Sequence, residues 1–469
     1  MRLLRAAVIL LFCAIASPSA RPAPPVQAFD LKPCTSGRAG ARAECGQLLV
    51  PENRTTGQGR RIPINVMVLR AETPGAKTAL FLLAGGPGQG STSMAGTANG
   101  WMAPLRASMD MVLMDQRGTG GSNALICETE IAANPAAAFG HVRDPEVIKK
   151  CLAALQSRAD LTQYTTDVAV ADMEELRVRL GYDSIALYGG SYGTRIAQAY
   201  LRRHPDRTRA VVIDGVLPFD VGGPLSYARS LDGSIDRMLA NCREVPACQQ
   251  ANPNLSADLA AILKRLDQSP ARATVRPTTG DPVTVTMSRG DFLYAMRGML
   301  YSAGAQNDLP PMITQAAATG DVSAFAQRYW ARAVSMGRSI AYGMHLSVLC
   351  PEDVNVLTDA QVAAETRTTR IGSYIVNEYR TACALWPKVP VAADFRTPVT
   401  ARVPVLLVSG KYDPVTPPEF GDRIAKSLPL ARHIAVSTSG HGSASGCPRA
   451  AALFVLSRGT FEGMPEACR

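Results

Sequence analysis

Gly189-Gly190-Ser191-Tyr192-Gly193 constrains this chain more than any other stretch. Residues 184–188 before it are apolar and partly β-branched, as in a short buried strand, and residues 195–204 after it read as a helix. A serine framed by glycines between strand and helix fits a turn so tight that only small neighbours keep the backbone clear while the hydroxyl points outward. An ordinary glycine-rich turn carries the same letters. The meaning of Ser191 therefore depends on which acid and which histidine the fold brings to it.

At 469 residues, with 46% hydrophobic and 19% charged residues, the chain can bury a large core and is too long for one minimal domain. Arg2 and Arg5 precede an apolar run over residues 6–16, and the small residues Ala14, Ala16, Ser19 and Ala20 offer cleavage sites. That run is too short to span a bilayer and reads as a secretory signal over residues 1–20, with a Pro-rich segment over 21–40 behind it. No later stretch is long and apolar enough for a membrane span, so the chain is expected to be exported, periplasmic or extracellular. Of 11 cysteines, Cys13 belongs to the signal. The others fall in close couples, and in an exported chain the simplest framework joins Cys34 to Cys45, Cys127 to Cys151, Cys242 to Cys248, Cys350 to Cys383 and Cys447 to Cys468. No C-x-x-C or H-x-x-x-H spacing suggests a metal. The formal charge of +10 comes from scattered arginines without a basic stripe, which speaks for a solvated basic surface and against nucleic acid.

Taken in order, residues 44–51 and 61–70 alternate apolar and polar side chains around a turn-rich stretch, as in an antiparallel pair at a sheet edge. Residues 79–84 and 109–115 are continuous apolar runs of the kind buried on both faces. They end in Gly85-Gly86-Pro87-Gly88 and Asp115-Gln116-Arg117-Gly118. A helix over 165–180 precedes the Ser191 strand, and a further strand is expected over 209–214. This alternation predicts an α/β fold with a mostly parallel sheet flanked by helices. Between residues 217 and 398 it gives way to amphipathic pieces and Pro-rich breaks, which read as a large, mainly helical inserted lid. Strand and helix alternate again from 403 to the end, so the core occupies residues 41–216 and 399–469.

In an open α/β sheet, reactive groups gather beyond the carboxyl ends of strands. Of five histidines, His141 lies in a polar loop, His204 ends the helix after Ser191, His345 is inside the lid and His433 starts a strand. His441, in Ser439-Gly440-His441-Gly442, alone follows the last strand. Asp413 stands just beyond the strand over 403–410, where it can accept the imidazole N–H, although a turn cap beside Pro414 is an equally ordinary role. Ser191, Asp413 and His441 thus form a candidate triad in the order nucleophile, acid, base. An oxyanion needs two N–H donors, and the amides of Tyr192 and Gly86 are the candidates. Asp115 and Arg117 are expected to brace the Gly86 loop.

These stretches together resemble the exported tripeptidyl aminopeptidases and the related prolyl aminopeptidases of the α/β-hydrolase superfamily, over residues 45–214 and from 403 to the end, a tripeptidyl-aminopeptidase-like C-terminal region. The resemblance implies an α/β-hydrolase fold and release of short N-terminal peptides or N-terminal residues through an acyl-enzyme. It also implies the oxyanion roles of Gly86 and Tyr192. Ala84 stands where prolyl aminopeptidases usually carry His, which favours the tripeptidyl branch. Lid carboxylates bind the substrate ammonium in prolyl aminopeptidases, and Glu352 and Asp353 in Cys350-Pro351-Glu352-Asp353 are the matching candidates; a solvated acidic turn is the plain alternative. The expected partner is a peptide with a free N-terminus, with no cofactor or metal, and the oligomeric state is open. An esterase or lipase-like enzyme needs the same triad without an amine anchor, and a non-catalytic binding module shares the fold.

Overall fold

In the computed structural model the described residues are 29–35, 42–128, 134–139, 144–442 and 446–464. The signal segment and most of the Pro-rich segment lie outside them. Nine strands form one sheet: β1 (Lys32–Thr35), β2 (Arg42–Pro51), β3 (Arg61–Leu69), β4 (Thr78–Leu83), β5 (Asp110–Met114), β6 (Ser184–Gly190), β7 (Thr208–Asp214), β10 (Val405–Gly410) and β11 (Ala431–Val436). Their spatial order is β1-β2-β3-β5-β4-β6-β7-β10-β11. β1, β2, β3 and β5 pair antiparallel, and every pairing from β5 through β4 to β11 is parallel. Burial explains the composition of the central strands. β5 and β10 are buried at every residue, and apolar side chains fill both faces because helices cover both. β3 alternates instead, with Ile62, Ile64 and Val66 turned into the core.

Strand order reverses at β4, whose neighbours are β5 on one side and β6 on the other. A crevice opens at such a switch point beyond the carboxyl ends of the strands. Leu83 of β4 lies in register with Gly189 of β6, so the loop at residues 85–88 and the turn at Ser191 leave the sheet side by side.

Between β7 and β10 the chain forms the lid, mainly helices from Gly223–Glu244 to Tyr374–Leu385. It also contains a two-stranded antiparallel sheet, β8 (Ala271–Val275) with β9 (Val283–Met287). Period-two burial of Ala273, Val275, Val285 and Met287 supports that pair. Among the described residues, four bridges join Cys34 to Cys45, Cys127 to Cys151, Cys242 to Cys248 and Cys350 to Cys383. The expected fifth couple includes Cys468, outside the described residues.

Candidate active site

Ser191 sits between β6 and the helix Tyr192–Arg203 with φ 55° and ψ −122°. A non-glycine residue at positive φ is strained, and the strain persists only where the surroundings enforce it. Here the enforcement is visible. A Cβ on Gly193 would come 2.2 Å from Leu83 O, and one on Gly189 would come 2.4 Å from Gly193 O. A Cβ on Gly190, by contrast, would meet nothing within 4 Å. Two of the three glycines are therefore required by close backbone approach. Ser191 N donates to Asp214 O at 2.9 Å, which fixes the turn against the end of β7.

Asp413 follows β10 and is fully buried. Its Oδ1 accepts from Val415 N at 2.8 Å and Thr416 N at 2.9 Å, and its Oδ2 accepts from Thr416 Oγ1 at 2.6 Å. Oδ2 also lies 2.7 Å from His441 Nδ1. Burial alone would raise the carboxyl pKa, but the neighbouring His441 charge and the hydrogen bonds outweigh it and hold Asp413 below the usual carboxylate range. His441 is fixed from the lid as well as from the sheet. Its backbone N donates to Tyr301 O at 2.9 Å, and its ring meets the Tyr301 ring edge-on at 4.8 Å between centroids. Gly440 permits this approach, since a Cβ there would lie 2.1 Å from Leu300 O. Ser191 and His441 line the same cavity of about 360 Å³, together with Gly85, Gln89, Trp101 and Asp214. Ser191 Oγ makes no hydrogen bond among the described residues, so the pair shares a cavity without a hydrogen bond joining them.

Gly85 and Gly86 bring the neighbouring loop against the serine: a Cβ on Gly85 would come 2.9 Å from Ser191 Cβ. Gly86 has φ 112°, open only to glycine, and precedes a cis bond to Pro87. The Tyr192 amide is the first N–H of its helix and has no intrahelical acceptor, as an oxyanion donor requires. Asp115 holds the residues just past this loop, accepting from Thr92 N at 2.8 Å, and ties them to Gly121 N at 2.9 Å and Asn65 Nδ2 at 2.9 Å. Arg117 does not brace it. Its guanidinium is buried elsewhere, on Asp172 at 2.6 Å and on the carbonyls of Glu52 and Gln163. The lid supplies the second clamp: His345 Nδ1 lies 2.9 Å from Pro87 O, and Nε2 lies 3.0 Å from Tyr379 Oη.

Glu352 and Asp353 lie elsewhere. Both are fully buried, and neither lines the cavity of Ser191. Glu352 accepts from Thr166 N at 2.7 Å and Thr166 Oγ1 at 2.8 Å; Asp353 is paired with Arg195 at 2.8 Å. The two carboxylates face the single guanidinium of Arg195 away from the Ser191 cavity, so the structure does not bring the expected amine anchor together with the nucleophile. Burial pushes the Glu352 carboxyl up to about 7, against the lowering influence of Arg195 and Thr166.

A second Ser-His-Asp chain exists in the molecule. His433 Nδ1 lies 2.8 Å from Asp422 Oδ1, and Nε2 lies 3.0 Å from Ser409 Oγ. Ser409, however, is fully buried inside β10, so substrate cannot reach it. Hydrogen-bond geometry alone does not make a nucleophile. His204 sits at the C-cap of its helix with its ring tilted against Tyr200, and His141 lies outside the described residues. Sequence reasoning passed over three supporting residues. Thr416, three after Asp413, follows an ordinary capping spacing that could have been noticed; Tyr301 and His345 carry no local signal.

A family model for the alpha/beta hydrolase fold matches residues 78–444. Serine protease Hip1 of Mycobacterium tuberculosis is 24% identical over 436 residues, covering 86% of this chain and 83% of that protein. Proline iminopeptidase of Xylella fastidiosa is 45% identical over 58 residues, 12% of this chain and 18% of that one. The crystal structure of proline iminopeptidase from Mycobacterium smegmatis aligns at 16% identity with a TM-score of 0.39, covering 87% of this chain and 97% of its own.

Proposed function

The chain belongs to the α/β-hydrolase family, and from that membership we propose that it is an exported serine peptidase releasing short N-terminal peptides, of the tripeptidyl type, through an acyl-enzyme. The observation that carries this reading is the 2.7 Å bond between Asp413 and His441, with that imidazole facing the cavity into which a strained turn presents Ser191. Ser191 Oγ attacks the scissile carbonyl carbon while His441 Nε2 takes the hydroxyl proton. Asp413 stabilises the resulting imidazolium. The amides of Tyr192 and Gly86 receive the oxyanion, and each such donor is worth on the order of 10²–10³ in turnover. His441 then returns its proton to the leaving amine, and water enters to release the acyl group by the same steps reversed.

Peptide as the substrate is supported by serine protease Hip1 and by the iminopeptidase, relatives named for that chemistry. The same machinery hydrolyses esters, so the deciding measurement is mass-spectrometric product analysis on a library of free and N-acetylated peptides beside short p-nitrophenyl esters. Tripeptides released from free N-termini only are expected. Turnover of esters alone would replace the peptidase reading with an esterase one.

A further inference from the structure

On the lid side of the Gly86 loop lies a second cavity, walled by Tyr294, Tyr329, Tyr342 and Tyr379 and carrying Arg328 and Arg332. His345, which holds Pro87 O, also lines it, so the cavity abuts the loop that flanks Ser191. No aspartate or glutamate lines it among the described residues. The link to the reacting groups runs through Tyr301. The Arg332 guanidinium carbon lies 3.9 Å from the centroid of that ring, whose edge meets His441.

Elsewhere this protein neutralises its buried arginines. Arg117 and Arg195, both fully buried, are held by Asp172 and Asp353. Around Tyr301 it does not. Arg332 Nε is buried without a hydrogen-bond partner, and neither Arg328 nor Arg332 forms an ion pair among the described residues. Behind them Arg297, 4% exposed, stacks on Tyr227, Tyr294 and Tyr301 and donates to Tyr301 Oη at 3.3 Å. Its Nε is also unpartnered. Arg297 is buried, Arg332 half-buried and Arg328 exposed, and with no carboxylate among them they form a positive site that an anion would favour; the flat fork of arginine suits a carboxylate held by two bonds.

Resting on the reading of Ser191 as nucleophile, we infer that this cavity binds a carboxylate carried by the substrate, so that acidic peptides are preferred. The carboxylate is either an Asp or Glu side chain or a free C-terminus. Both present the same group to Arg332 and Arg328, and the overall charge of +10 attracts both.

The test is kinetic. Matched peptides carrying Glu or Gln at each position in turn, and each with a free or amidated C-terminus, are compared on the wild type, Arg332→Gln and the exposed Arg328→Gln. The wild type is expected to favour the acidic member of one pair by on the order of 10- to 100-fold in kcat/KM, an advantage that shrinks with added salt and falls several-fold in each variant. Arg332→Lys should restore part of it. A preference that follows the side chain identifies an acidic residue, and one that follows the terminus identifies the terminal carboxylate. No acid preference in the wild type, or one unchanged in both variants, would overturn the inference. Fluorophosphonate labelling of wild-type Ser191 is measured in parallel: its absence would sink the catalytic reading itself, whereas labelling without acid preference would sink only this proposal.

Discussion

The separation of Ser191 from Ser409 shows what single residues contribute. Both serines have a histidine and an aspartate arranged in sequence, but Ser191 has positive φ, a cavity and nearby amides, whereas Ser409 is sealed inside a strand. Asp413→Asn is expected to lower kcat by roughly 10⁴-fold, because the amide leaves His441 in the wrong tautomer. Far-ultraviolet circular dichroism of that variant should match the wild type, and a loss below tenfold would contradict the role given to Asp413. His433→Asn should leave turnover within a few-fold of wild type, since it breaks only the buried relay. Glu352 supplies a pH prediction. Its carboxyl titrates near 7 in the folded chain and near ~4.3 when unfolded, so between those values the folded state holds the extra proton. The sign follows: stability from this group is full at acid pH, falls as pH rises from ~4.3 to about 7, and is level above. Glu352→Gln removes that fall, so its melting temperature relative to wild type should be higher at pH 8 than at pH 5. A pH-independent difference would contradict it.

At the scale of elements, the turn after β6 and the loop after β4 act as one unit because the two strands are neighbours in register. The three glycines around Ser191 separate cleanly under substitution. Gly193→Ala places a methyl 2.2 Å from a carbonyl oxygen and should cost roughly 1–3 kcal/mol or more, read as a lowered urea midpoint. Gly190→Ala meets nothing and should stay within about 1 kcal/mol of wild type. This contrast also marks how much was legible beforehand. Periodicity located the core strands and the helix Thr166–Leu180 to within a residue or two, since their burial repeats are strong and local. The pair β8–β9 was missed because five-residue strands between Pro-rich breaks give too few repeats to register. Lid contacts on the site were invisible for a different reason. His345 meets Pro87 across 258 residues and His441 meets Tyr301 across the rest of the lid and part of the core's second segment, and no local pattern encodes such pairs.

For the whole molecule, lid and sheet together complete the site: the sheet presents Ser191, Asp413 and the loop, and the lid pins His441 and Pro87. The placement of Glu352 and Asp353 away from the Ser191 cavity is decided at this scale. Their spacing beside a cysteine was readable, but their burial against Arg195 on the helix after Ser191 is a product of how lid and core pack. Their segment is stapled by Cys350–Cys383, a separation of 33 residues. Replacing both cysteines by serine should cost roughly 3–4 kcal/mol, measured as a lower urea midpoint, with activity falling alongside the folded fraction. The proposed mechanism rests on His441 activating Ser191 across their shared cavity. The most direct measurement is the site and rate of fluorophosphonate labelling, read by peptide mass spectrometry on the wild type and His441→Ala. A single adduct on Ser191, formed at least 10²-fold more slowly without the imidazole, is the predicted result; an adduct on another serine, or equal labelling of Ser191 in both proteins, would contradict it.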